Sequence, residues 1–140
     1  MNKKYCHFLA TRFNLKNLGW KKTKSGTAVL NDDWLLDRFE IFEKFCLPSV
    51  MYQSELNFHW CIFFDENTPK GYLDRINTIR EKFPNISPIL IGEMSELVHA
   101  FRNFILSKMD GHSHIITTRL DNDDLIHVDF VSSIQSLFRP

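Results

Sequence analysis

From Phe58 to Phe64 the chain reads Phe-His-Trp-Cys-Ile-Phe-Phe and then turns acidic at Asp65-Glu66. A run this apolar, with no alternation, describes a strand covered on both faces, which is the habit of parallel sheets. Parallel strands need a crossover between them, usually a helix. The chain supplies one after each strand-like run. Tyr5–Ala10 reads as a first strand ending in Thr11-Arg12-Phe13-Asn14. Asp32 and Asp33 then open a helix, as carboxylates at an N-terminus should. Its stripe is Leu35, Phe39, Phe42 and Cys46, with Glu40 and Lys44 as an outward i,i+4 pair and Pro48 as its end or kink. Core packing and a surface charge account for Trp34 and Arg38 on this helix.

Beyond the Phe58–Phe64 strand, Thr68-Pro69 reads as a helix cap with a first-turn proline. Tyr72, Ile76, Ile79 and Phe83 form the stripe of that helix, and Pro84 stops it. Ile89–Gly92 is a short third strand. Ser95 caps a helix with the stripe Val98, Phe101, Ile105 and Met109, ended by Gly111. The β-branched run Ile115-Ile116-Thr117-Thr118 suits a buried fourth strand. Phe130, Ile134, Leu137 and Phe138 mark a last helix. Alternation of this kind predicts right-handed crossovers and an α/β fold: an open, Rossmann-like parallel sheet with helices on both faces.

Size and composition fit one domain over residues 1–140, since thirteen phenylalanines in a chain 44% apolar promise a dense core. Lys plus Arg and Asp plus Glu balance at 17 each, without the basic excess of a nucleic-acid binder. Cys6, Cys46 and Cys61 are widely spaced in apolar surroundings, so buried free thiols are expected rather than disulfides or a zinc site. No signal peptide is visible at Met1-Asn2-Lys3-Lys4, and no run reaches the ~18 apolar residues of a membrane span. A cytoplasmic location is expected.

The fourth strand runs into Arg119-Leu120-Asp121-Asn122-Asp123-Asp124, which packs three carboxylates into four positions. Carboxylates so placed repel one another unless a cation lies between them, and hard oxygen ligands select Mg²⁺, Mn²⁺ or Ca²⁺. A solvated acidic turn explains them equally well on the residues alone. An EF-hand loop is excluded because Ile126 stands where its glycine belongs. Neither a GxGxxG nor a GxxxxGKS loop follows the first strand, so any nucleotide phosphates must be held by side chains and a metal. Arg12, at a strand end, suits a phosphate or carboxylate as well as it suits a surface. The basic loop Lys16–Gly26, with Trp20, is either a solvated loop or one that orders over an anionic ligand.

Thr11-Arg12-Phe13, Arg38 with Phe42, Leu47-Pro48-Ser49-Val50, Gln53, Phe58-His59-Trp60, Phe64-Asp65 and Thr117 to Asp124 together resemble the motifs of the putative rhamnosyltransferase family. That family comprises GT-A-type glycosyltransferases, and the resemblance runs across nearly the whole chain. It implies a nucleotide-sugar-binding α/β domain and a divalent cofactor, Mn²⁺ or Mg²⁺, on an Asp-x-Asp motif. Asp121 and Asp123 match that motif, with Asp124 as an alternative ligand. The resemblance also implies a nucleotide pocket lined by Thr11, Arg12 and Phe13, with Asp65 on the base or ribose. Arg119 either assists the leaving diphosphate or pairs with Asp121 or Asp123.

The implied activity is metal-dependent transfer of a sugar, named rhamnose by the family label, from a nucleotide sugar donor to a glycan or lipid-linked acceptor. GT-A enzymes usually continue into an acceptor-binding half, and this sequence stops one helix after the fourth strand. The reading is therefore a donor-binding part truncated after its fourth β-α unit, without an assigned catalytic base. His127 is expected to cap the last helix. A non-catalytic nucleotide-sugar- or metal-binding module is the alternative, and an uncovered apolar sheet invites a homo-oligomer. A phosphotransferase with an Asp-x-Asp nucleophile is disfavoured, because such enzymes carry the motif on their first strand.

Overall fold

A computed structural model describes residues 4–15 and 32–140; the basic loop Lys16–Gly26 lies outside the described residues. Four parallel strands, β1 (Tyr5–Arg12), β2 (His59–Asp65), β3 (Ile86–Ile91) and β4 (His114–Arg119), form one sheet in the order β3-β2-β1-β4. The chain steps outward from β1 to β3, then crosses back to lay β4 on the other side of β1. This is the expected Rossmann-like arrangement, and its strand order reverses between β1 and β4.

Helices cover both faces. Helix α1 (Asp32–Ile41), a π-helical turn (Phe42–Cys46), α2 (Leu47–Met51), α3 (Lys70–Lys82) and α5 (Phe130–Ser136) bury one face. There Leu9, Trp60, Ile62 and Phe64 of the strands meet Phe39, Phe42, Cys46, Val50, Ile76 and Val131. Helix α4 (Leu97–Lys108) covers the opposite face, where Cys61, Phe63 and Ile91 meet Leu97, Phe101 and Phe104. Phe8 sits edge-on to Phe101 and Phe104 with centroids 6.4 and 6.1 Å away. Side chains of this size contribute about 1.5–3 kcal/mol each when fully buried, so β2, buried along all but its first residue, is the energetic centre of the sheet.

Several elements differ from expectation. β4 is an edge strand rather than a buried one, and Ile115 is 44% exposed. β3 begins at Ile86 and contains Pro88, which is tolerated because an edge strand can spare a donor. Pro48 does not end the first helix. The π turn, in which the Leu47 amide reaches back to the Phe42 carbonyl, delivers Pro48 into the first turn of α2, where a missing N–H costs little. Within the same turn the Lys44 ammonium lies 5.5 Å from the Phe45 ring centroid.

Thr68 does not cap α3. Its hydroxyl turns back to the Asp65 carbonyl at 2.6 Å, and Pro69 precedes the first helical residue. Ahead of α4, the capping box is made by Glu93 and Glu96 around a 3₁₀ turn (Met94–Glu96) instead of by Ser95. Val98 and Leu137, read as apolar stripe positions, are 77% and 75% exposed. No helix among the described residues is long and apolar enough to cross a membrane.

Candidate functional site

The strand reversal opens a crevice at the carboxyl ends of β1 and β4, where open α/β sheets bind ligands. A cleft of about 300 Å³ occupies it. Arg12, Phe13 and Asn14 form the β1 side, Arg119, Asp121, Asn122 and Asp123 the β4 side, and Trp34 and Arg38 the wall contributed by α1.

The acidic turn is tied to the sheet through the β1 strand end. The Leu120 amide donates to the Ala10 carbonyl at 3.0 Å, extending the β1–β4 ladder by one residue. Leu120 itself is buried. Asn122 is buried too, and its Nδ2 donates to the Phe13 carbonyl at 3.2 Å. Asn122 is turned in, while Asp121 and Asp123 are exposed and border the cleft. The Asp-Asn-Asp spacing thus gives two neighbouring carboxylates and an anchor between them. The turn closes where the Asp124 amide meets the Asp121 carbonyl at 3.1 Å and Asp124 Oδ2 accepts the Asp121 amide at 2.8 Å.

From below, Cys46 Sγ donates to the Asp121 carbonyl at 3.6 Å. Burial first, then the charges of Asp124, Asp123 and Asp121, push this thiol up to about 12, so it remains a protonated donor. All three cysteines are free; Cys46 and Cys61 are buried and Cys6 partly so.

Asp121, Asp123 and Asp124 each offer a carboxylate oxygen, and the three lie within 4.8 Å of one another, all solvent-exposed. Two of them also face arginines. Arg119 Nε lies 3.3 Å from Asp121 Oδ1, and Arg38 Nη1 lies 3.1 Å from Asp123 Oδ2. The pairing alternative for Arg119 is therefore realised with Asp121. Arg12 Nη1 contacts Met94 Sδ at 3.2 Å, a weak acceptor for a guanidinium.

The remaining expected residues lie at different depths. Phe13 forms part of the floor, with its ring packed on Phe39 and Phe64 at 4.5 and 4.9 Å. Thr11 is fully buried beneath that floor, where its hydroxyl accepts the Trp60 indole N–H at 2.8 Å, and it does not line the cleft. Asp65 is buried at the end of β2 and accepts the Asn67 amide at 2.8 Å. It lines a second cavity of about 220 Å³ with Asp32, Asn67 and Thr68. Asn14 borders both cavities, receiving the Asp65 amide at 3.0 Å and donating to the Thr68 hydroxyl at 2.9 Å.

Trp34, Arg38, Asn14 and Asn122 are cleft residues to which the sequence reading gave no role. One signal was available for the first two. A helix that follows a parallel strand starts at the carboxyl edge of the sheet, so the opening turns of α1 had to stand over the crevice. Beyond the site, His127 Nδ1 accepts the Asp129 amide at 3.1 Å, but the free N-terminal amide of Val131 in α5 is satisfied by Gln53 Oε1 at 3.0 Å. Gln53 also donates to the carbonyls of Ser49 and His127.

Fold and crevice together define a Rossmann-like α/β protein with an open cleft at its strand reversal. The chain belongs to the family described as "Putative rhamnosyl transferase", whose profile matches residues 7–140. No curated protein matches the chain. The family description names a glycosyl-transferring activity.

Proposed function

We propose that this chain is the donor-binding part of a metal-dependent glycosyltransferase, with the cleft between β1 and β4 taking the diphosphate of a nucleotide sugar. The observation that carries the reading is the outward pair Asp121 and Asp123 at the strand reversal, in a family described as sugar-transferring. The carboxylates fit a hard divalent ion. Mg²⁺–oxygen distances near 2.1 Å place adjacent ligands about 3.0 Å and opposite ones about 4.2 Å apart, so carboxylate oxygens spaced up to 4.8 Å must draw together on binding, which exposed side chains can do. Asp121 and Asp123 are the ligands in this reading, with Asp124 as the alternative. Asp124 already holds the Asp121 amide, which leaves it less free to turn.

A bound Mg²⁺ or Mn²⁺ supplies charge neutralisation for the departing diphosphate. Arg12 and Arg119, on opposite lips of the cleft, add fixed positive charge where that diphosphate would lie. Asp65 and Asn14, in and beside the adjoining cavity, suit the hydroxyls of a ribose or the edge of a base. The sugar, which the family description calls rhamnose, would pass to a hydroxyl of a glycan or lipid-linked acceptor.

A binding module without turnover is favoured by one observation. The imidazole and the carboxylate that follow the acidic turn, His127 and Asp129, are occupied locally: His127 Nδ1 takes the Asp129 amide and Asp129 Oδ1 takes the Ser54 hydroxyl at 2.7 Å. Calorimetric titration with UDP, GDP and dTDP, with and without Mn²⁺, tests the donor site. Metal-dependent binding of one nucleotide, lost in Asp121→Ala/Asp123→Ala, supports it. No binding to the folded protein refutes it. Release of nucleoside diphosphate from its sugar conjugate separates the enzyme from the module.

A further inference from the structure

Arg38 and Trp34 form a unit on the α1 wall that the donor-site reading leaves unused. The Arg38 guanidinium lies 5.3 Å from the Trp34 ring centroid and 3.1 Å from Asp123 Oδ2, and both side chains line the cleft. Its bond to Asp123 uses one nitrogen, Nη1, whereas a guanidinium can present two parallel N–H groups to a phosphate. The pair is partly open to water, with the side chains 32% and 48% exposed. Ion pairs of this exposure are weak, so the contact is easily exchanged. The indole face restricts where the guanidinium travels when it lets go.

We propose that Arg38 is an exchange partner coupling cation and diphosphate binding: it holds Asp123 until a divalent cation takes that carboxylate, and then turns to the diphosphate. The inference rests on the cation–diphosphate reading given above. Without diphosphate, the cation must compete with Arg38 for Asp123. Without cation, the diphosphate meets Asp121 and Asp123 carboxylates whose arginines are already engaged. Bound together, each removes the obstacle to the other, and by linkage the gain is the same in both directions. Arg119 makes the corresponding contact to Asp121 at 3.3 Å, but it is 68% exposed, and among the described residues no aromatic ring faces its guanidinium as Trp34 faces that of Arg38. Arg38 is therefore the positioning residue on which the coupling depends.

The sign of the effect distinguishes exchange from a simple structural pair. Mn²⁺ binding is measured by the electron paramagnetic resonance of the free ion, and UDP, GDP and dTDP binding by calorimetry, on the wild type, Arg38→Met and Arg38→Lys. Thermal melts establish that each variant is folded. Arg38→Met is expected to bind Mn²⁺ alone about two- to fivefold more tightly, because its competitor is gone. The same variant should bind the preferred nucleotide roughly tenfold or more weakly in saturating Mn²⁺. Arg38→Lys, keeping a point charge without the fork, should fall between the two proteins on both measurements. Unchanged constants, or weaker binding of Mn²⁺ alone by folded Arg38→Met, overturn the exchange while leaving the donor site standing. Failure of all three proteins to bind Mn²⁺ or any nucleotide overturns the donor site and the exchange with it.

Discussion

Asn122 reaches across from the acidic turn to the Phe13 carbonyl at the end of β1, and this 3.2 Å bond fixes two carboxylates on the open side of the strand reversal. Removing it leaves a buried carbonyl without that donor. Asn122→Ala is expected to cost about 1–3 kcal/mol in urea unfolding. Metal-dependent nucleotide binding should weaken as well, because the Asp121–Asp123 spacing loses its tether.

The two edges of the acidic cluster should not respond equally. Asp124 Oδ2 is engaged with the Asp121 amide, whereas Asp123 lines the cleft and meets only the partly exposed Arg38 guanidinium at 3.1 Å among its described side-chain partners. Asp123→Asn is expected to lose more Mn²⁺ affinity than Asp124→Asn, as measured by free-ion resonance. The reverse order would make Asp124 the principal ligand.

Gln53 makes three bonds from a buried position, to Ser49, His127 and the Val131 amide, and so caps α5 from α2. Gln53→Leu leaves the helix amide and the His127 carbonyl without these partners, at about 1–3 kcal/mol for each buried group. A clear fall in melting temperature is the expected readout.

Phe39 sits among Phe13, Phe42, Phe64 and Tyr72, with the Arg75 guanidinium 5.6 Å from its ring and held by Glu43. Phe39→Ala is expected to cost about 3–5 kcal/mol. Chemical denaturation measures this directly.

Cys46 and Cys61 both have their thiol pKa pushed from 9.0 up to about 12, chiefly by burial. A thiol whose pKa rises on folding holds its proton more tightly in the folded chain. Its contribution to stability is complete below about pH 9 and disappears as pH climbs toward about 12. Unfolding free energy should therefore fall over that window, and less steeply in Cys46→Ala. In the native protein, alkylation at pH 8 should reach the partly buried Cys6 before either of the others.

The strand positions and the stripe Leu35, Phe39, Phe42 and Cys46 were legible because burial imposes a period on sequence. β-Branching announced β4 as a strand, yet said nothing about how many neighbours it has, so Ile115 was placed in the interior and lies at an edge. Pro48 does not end the helix, because its tolerance there depends on a π turn that local spacing does not encode. The family motifs picked out Asp121 and Asp123. The motifs included Arg38 too, but its place with Trp34 on the cleft wall stayed hidden, because that place is defined by its contact with Asp123, 85 residues away in the chain. No local pattern carries that information.

The π turn also has an angular consequence. Each helical residue advances the chain by about 100°, so the turn sets the phase between the Trp34–Arg38 end of this long helical segment and its Gln53 end. Deleting one residue within Phe42–Cys46 would restore α-helical winding and swing everything after it by that angle. Gln53 would lose its bearing on α5, and Cys46 its place beneath the acidic turn. A one-residue change in length there should therefore disturb cleft and last helix together, whereas a substitution at exposed Lys44 in the same turn should leave both in place.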